Sequence, residues 1–267
     1  TSTTAYEYRL TDGEISVAPG EFTTAAEIAL QNGSLDGWDG SSPNAATDSK
    51  FWDTSNEGAK MGGLTPTQAV TDFVHTQGGK AAKLESGKVD LMGGIFAAAS
   101  LYTGSFGSTN IWTQTATVNF GQSFTARPIA LKGFYKYTPN VINLVKNVPA
   151  GVTIVKDQTL DQCAIYIALA KKTYTIDNGN QSTFIDFKND ENIIAYGELP
   201  SGAATEGDGY VEFNIPLKYK NLTDQPTHII VVCSSSKYGD YMTGGAGSTL
   251  YVDDLSLIYD GTPTIWE

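Results

Sequence analysis

Residues 229–259 read Ile229-Ile-Val-Val-Cys-Ser-Ser-Ser-Lys-Tyr-Gly-Asp-Tyr-Met-Thr-Gly-Gly-Ala-Gly-Ser-Thr-Leu-Tyr-Val-Asp-Asp-Leu-Ser-Leu-Ile-Tyr259, and this stretch decides the fold. The run Ile229 to Cys233 has no polar alternation, as expected of a central strand covered on both faces. A loop holding Gly239, Gly244, Gly245 and Gly247 follows, and strand-like sequence resumes at Leu250. Strand, loop and closing strand is the order of an antiparallel β protein. In the closing strand a period of two puts Tyr251, Asp253, Leu255, Leu257 and Tyr259 on one face and Val252, Asp254, Ser256 and Ile258 on the other. This alternation predicts that Asp253 points to the same side as Leu255 and Leu257. A carboxylate there needs N–H donors, a cation or a metal, because burying it unpaired is costly or shifts its pKa.

Working outward, Ile129 to Tyr137 alternates cleanly, with Leu131, Gly133, Tyr135 and Tyr137 on one face and Lys132, Phe134 and Lys136 on the other. Asp161 to Ala170, Ile193 to Glu198 and Trp112 to Phe120 also read as strands. So does Val211 to Leu217, where Pro216 lacks an N–H and places the strand at an edge or at its end. Gly79 to Ser86 reads as a short strand and Thr23 to Leu30 as the first strand of the main domain. Ile95 to Leu101 fits helix or strand. No long amphipathic helix, heptad run or internal repeat is visible. About ten strands separated by turn signals predict two packed sheets.

Together with Leu131-Lys-Gly-Phe-Tyr-Lys-Tyr-Thr-Pro139, Cys163-Ala-Ile-Tyr-Ile-Ala-Leu169 and Ile194-Ala-Tyr-Gly-Glu198, the opening stretch resembles the putative carbohydrate metabolism domain family of Bacteroidetes surface proteins. The resemblance runs from about Leu30 to Asp260, strongest in Ser-Ser-Ser-Lys-x-Gly-Asp and Gly-Ser-Thr-Leu-Tyr-Val-Asp-Asp. It implies a secreted, often lipid-anchored β-sandwich linked to glycan use, with no catalytic residues to carry over. It also favours an extended form for Ile95 to Leu101. The Val-Asp-Asp-Leu-Ser-Leu ending is similar to the last strand of many carbohydrate-binding jelly rolls, in which a carboxylate near this point often holds a structural calcium.

Composition narrows the partners. Hydrophobic residues are 40% of the 267 and charged residues 17%, with 28 Gly and 14 Tyr, a balance that suits an extracellular-style β protein. The formal net charge of −12 argues against nucleic acid, which needs clustered Lys and Arg. No segment has the length of a membrane span and no signal peptide is recognisable. Since the chain opens at Thr1, we read it as processed or trimmed, so the missing signal does not argue for the cytoplasm.

Specific chemistries fare unevenly. Cys163 and Cys233 lack metal-ligand spacing and read as buried thiols, a disulfide between them being left open. The Gly244–Thr249 loop lacks the lysine of a phosphate-binding loop and leads into a strand. Ser234, Ser235 and Ser236 lack a nucleophile elbow, and His75 and His228 are the only bases available to them. A glycosidase requires two carboxylates across the scissile bond, and 29 acidic residues nominate no pair. A calcium site would use Asp253 with Gln31 or Asn32, where first and last strands could pair; the alternative is Asp253 accepting backbone hydrogen bonds.

The long irregular segment Gln31 to Gly63 sets Trp38 and Trp52 beside Asp and Asn, which suits a sugar whose C–H face stacks on an indole. The competing role is that both rings pin the loop to the sandwich. The sequence therefore predicts an all-β chain: residues 1–25 as an extension or linker, and residues 26–267 as a jelly-roll-type β-sandwich of two packed, mainly antiparallel sheets. The expected function is an extracytoplasmic glycan-binding or glycan-utilisation accessory protein at the cell surface, outer membrane or periplasm. Its partner is an oligosaccharide or polysaccharide, stacked on Trp38, Trp52, Trp112 and Phe134. Asp253 and Asn32 hold the structural calcium, and any membrane link runs through a lipid anchor outside this chain. The alternatives are a glycoside hydrolase or lyase with two cleft carboxylates, and a structural or adhesive surface module.

Overall fold

The computed structural model describes residues 27–90, 94–110 and 112–266, and before them the pairing of four short strands. Those are β1 (Ala5–Tyr8) with β4 (Gly20–Thr23) and β2 (Thr11–Asp12) with β3 (Ile15–Ser16), both antiparallel. The rest of the expected extension over 1–25 lies outside the described residues. Glu27 to Leu30, predicted as part of a first strand, is not in a strand, although Leu30 is buried in the core.

Two sheets face each other. The larger runs in the order β15 (Tyr174–Asp177), β11 (Thr115–Phe120), β10 (Ser100–Asn110), β19 (His228–Ser234), β14 (Ala164–Ala170), β16 (Ile193–Glu198), β18 (Lys218–Tyr219) and β21 (Thr264–Ile265). Two short strands join it off this path, β5 (Trp52–Thr54) on β10 and β12 (Gln122–Ser123) on β19. The smaller has five strands: β17 (Val211–Pro216), β13 (Ala130–Thr138), β20 (Thr249–Ile258), β7 (Ala81–Glu85) and β6 (Thr67–Val70). Every pairing within the two sheets is antiparallel except β18 with β21. A separate hairpin joins β8 (Gly87–Val89) to β9 (Ile95–Ala97). Among the described residues no helix is long and apolar enough to cross a membrane.

The all-apolar run of β19 is explained by its place between β10 and β14. Ile229, Val231 and Cys233 enter the core between the sheets with Leu131, Ile165, Ile167, Leu250 and Val252. Ile230 and Val232 enter a second apolar cluster on the outer face of the large sheet, with Tyr102, Phe120, Ala168 and Ile176. Full burial of one such aliphatic side chain contributes roughly 1.5–3 kcal/mol, so a strand with both faces covered is a strong organiser. Cys163 and Cys233 are both buried free thiols. Edge strand β17 ends at Pro216, as its missing N–H demands.

The closing strand departs from simple alternation. Lys132 pairs with Ser256 but Phe134 with Asp253, so β20 carries one extra residue opposite β13. That residue falls at Asp254, whose φ of 49° is left-handed, the signature of a β-bulge. Leu250 and Val252 face the core before the bulge, and Leu255 and Leu257 after it. The expectation that Asp253 shares a face with Leu255 is thereby corrected: Asp253 turns to the outer side, where loop 71–80 covers it.

Candidate functional site

A cleft of about 200 Å³ opens on the outer face of the large sheet. Its floor is made by Tyr102 and Phe106 of β10, Val118 and Phe120 of β11, Tyr166 of β14 and Val232 of β19. These are the alternate residues that point away from the sandwich core. The walls come from residues 55–62, from Ile95–Ala98 of the small hairpin and its exit, from the β10–β11 connection, and from the loop after β19. Polar groups ring the mouth: Thr109, Asn110, Gln114, Asn178, Lys237 and Asp240.

Phe106 is aimed by local chemistry. The Asp53 carboxylate accepts the Phe106 backbone N–H at 2.7 Å and is paired with Lys50 at 2.7 Å. Just beyond, the β10–β11 register shifts between Phe106 and Thr109. Phe106 and Tyr166 are partly open to solvent, whereas Tyr102 and Phe120 are buried in the floor.

The loop after β19 is shaped by Asp161, which is buried. One of its carboxylate oxygens accepts from Ser236 Oγ at 2.5 Å, Gly245 N at 2.8 Å and Ser248 Oγ at 3.1 Å. The other accepts Gln162 N at 2.8 Å. Burial raises the Asp161 pKa even though these four bonds pull it down. Ser86 Oγ extends the network to Ser235 and Ser236, at 2.7 and 2.9 Å. The serines and glycines of the loop thus form its internal scaffold. Close packing fixes it further, since a Cβ on Gly239 would fall 2.6 Å from the Ala98 methyl.

This scaffold presents Asp240 to the cleft. Asp240 is exposed at the cleft, and desolvation by the surrounding protein pushes its pKa up to about 6. Desolvation is the cause, and among the described residues no hydrogen bond or charge offsets it. Among the described residues lining the cleft, Asp240 is the single acidic one.

The residues expected to bind a sugar are dispersed. Trp52 is completely buried, edge-on to Phe51, with Nε1 donating to Gln31 O at 2.7 Å. It anchors the long loop and is unavailable for stacking. Trp38 packs part-buried against the core and donates to Leu35 O at 2.6 Å, so it also pins the loop. Phe134 lies on the opposite side of the sandwich, where the His75 ring stacks on it at 3.5 Å. Trp112 alone stands free: it is 87% exposed, in the β10–β11 connection between the cleft residues Asn110 and Gln114.

Asp253 and Asn32 lie near the backbone bond from Leu255 N to Gly33 O, at 2.7 Å, and each side chain has protein partners of its own. Asp253 accepts the backbone N–H groups of His75 and Asp254 at 2.7 and 2.8 Å, the alternative role for this carboxylate. Burial raises its pKa. The Asn32 amide is engaged inside its own loop, with Gly37 and Pro43. Among the described residues no group of three or more His, Cys, Asp or Glu is placed to hold a metal.

Asp240, Asp161, Phe106 and Tyr166 escaped the sequence reading as site residues. The available signal was a Gly-Asp pair in a loop directly after an all-apolar strand, and Tyr166 set on the second face of a confident strand.

With this geometry established, two solved structures show the same fold. One is described as a putative glycoside hydrolase from Bacteroides thetaiotaomicron, with TM-score 0.65 and 23% identity, the alignment covering 98% of this chain and 80% of that one. The other, described in the same words, is from Bacteroides vulgatus, with TM-score 0.57 and 24% identity over 80% of this chain and 88% of that one. No curated protein sequence matches the chain. The sequence profile described as the putative carbohydrate metabolism domain matches residues 29–258, and the chain belongs to that family.

Proposed function

We propose that the cleft on the large sheet binds an oligosaccharide and that the chain acts outside the cytoplasm as a glycan-binding or glycan-utilisation accessory protein. The observation that carries this reading is the pairing of an aromatic floor with a hydrogen-bonding rim. A sugar ring presents an apolar C–H face that stacks on Phe106, Tyr166 or the freestanding Trp112, while its hydroxyls meet Asn110, Gln114, Asn178 and Lys237. Family membership in a carbohydrate-related domain supports the ligand class. The low charged fraction and the wealth of Gly and Tyr support the location.

A second reading, glycoside hydrolysis, is favoured by Asp240, since a carboxyl group with a pKa of about 6 suits a proton donor. Against it, hydrolysis by paired carboxylates needs a second acid roughly 5–9.5 Å away, and among the described residues the cleft lining has only Asp240.

The test is a glycan-array screen with reducing-sugar release measured on every hit. Binding without release, weakened by Trp112→Ala, is the expected result. Sugar release would move hydrolysis ahead, and silence on all glycans would favour a structural surface module.

A further inference from the structure

We infer that the sugar taken by this cleft carries a free, protonated amine, with the Asp240 carboxylate as its counter-ion; this rests on the glycan reading above. Asp240 opens onto the cleft, and among the described residues none gives it a hydrogen bond or a charged partner. Lys237, the cation on the same wall, forms no ion pair with it. The carboxylate therefore meets the ligand unpaired.

A neutral sugar would offer Asp240 only hydroxyl donors. An ammonium group offers charge-assisted bonds, roughly twice as strong as neutral ones. The faces of Tyr166 and Phe106 on the same cleft add attraction for a cation. Lys237 is then left to meet hydroxyl and ring oxygens. The net charge of −12 draws a cationic ligand in and turns an acidic one away. The other titratable groups on the lining are Tyr102, Tyr166 and Lys237. Burial pushes both phenols upward, so they stay neutral.

The deciding experiment is calorimetric titration at about pH 6.5, where the Asp240 carboxylate is largely ionised and the 2-amino groups of a glucosamine oligomer, less basic than a lysine because of the neighbouring oxygens, are partly protonated. The probes are a β-1,4-linked glucosamine tetramer and the glucose tetramer of the same linkage, against the wild-type chain and Asp240→Asn. The expected result is a preference for the amine-bearing tetramer of about tenfold, ~1.4 kcal/mol, which collapses towards one in Asp240→Asn. Equal affinities in the wild type would overturn the inference and leave the glycan reading standing. A preference that survives Asp240→Asn would also overturn it, because general attraction to an acidic surface would then explain the selectivity. If the array finds no glycan and neither tetramer binds, the glycan reading fails and takes this inference with it.

Discussion

The two outer faces of the sandwich carry similar side chains in different states. Over the five-stranded sheet, loop 71–80 lays His75 on Phe134 and Phe73 on Tyr210, with ring centroids 3.5 and 4.9 Å apart. Its backbone caps Asp253, and His75 Nδ1 and Thr76 Oγ1 hold Asp254 at 2.7 and 2.6 Å. Over the large sheet, the loops stop at the rim and leave Phe106 and Tyr166 half-buried and Asp240 exposed at the cleft. Aromatic and acidic residues on a sheet face are therefore not a site in themselves. What separates the two faces is whether the chain's own loop has already taken the partners that a ligand would use.

The largest effect that sharpens this contrast is expected at Asp161. Asp161→Ala would strand the Gly245 N–H and two serine hydroxyls in a buried setting, at a cost of about 3 kcal/mol or more. A large drop in the denaturation midpoint with loss of glycan binding is predicted; a midpoint like the wild type's would show that the loop is shaped otherwise. Next come the open rings. Phe106→Ala and Trp112→Ala should each weaken binding of an array hit by about tenfold, as expected for contacts worth over about 1 kcal/mol. Trp112→Ala should leave stability within about 0.5 kcal/mol, since its ring is exposed.

A similar or smaller effect follows from proton binding at Asp240. Its folded pKa, about 6, lies above the ordinary carboxylate value. The ionised fraction thus falls about tenfold from pH 7 to pH 5, and the ratio of wild-type to Asp240→Asn affinity for an amine-bearing sugar should be lower at pH 5 than near pH 6.5, where both charges coexist. The same raised pKa makes the contribution of Asp240 to stability greatest at low pH and lost as pH rises from about 4 to about 6. A wild-type to Asp240→Asn affinity ratio that is unchanged or higher at pH 5 would contradict the assignment. The smallest effect is expected on the filled face: Phe134→Ala should cost about 0.5–1.5 kcal/mol of ring stacking and leave glycan affinity within about twofold.

Much of the scaffold is legible in the sequence. The apolar run of β19, the lysine face of β13 and the proline that ends β17 each follow from one local rule of burial or backbone chemistry. The bulge in β20 is not legible, because period-two reasoning assumes an unbroken ladder and the extra residue at Asp254 reverses the facing from there on. The site is harder still. Asp161 reaches donors 75 to 87 residues away, a convergence visible only after the sheets have assembled. The four rings chosen from sequence differ by context and not by type: Trp52 vanishes into the core, Trp38 is tied to its own loop, Phe134 lies under His75, and Trp112 remains free.

The central claim is that the open face, and not the filled one, takes the glycan. Its most direct test is to titrate one array hit into Phe106→Ala and Phe134→Ala after confirming that both variants are folded. The account predicts affinity reduced about tenfold in Phe106→Ala and within about twofold of wild type in Phe134→Ala. Loss of binding in Phe134→Ala with Phe106→Ala unaffected would contradict it and move the site to the other sheet.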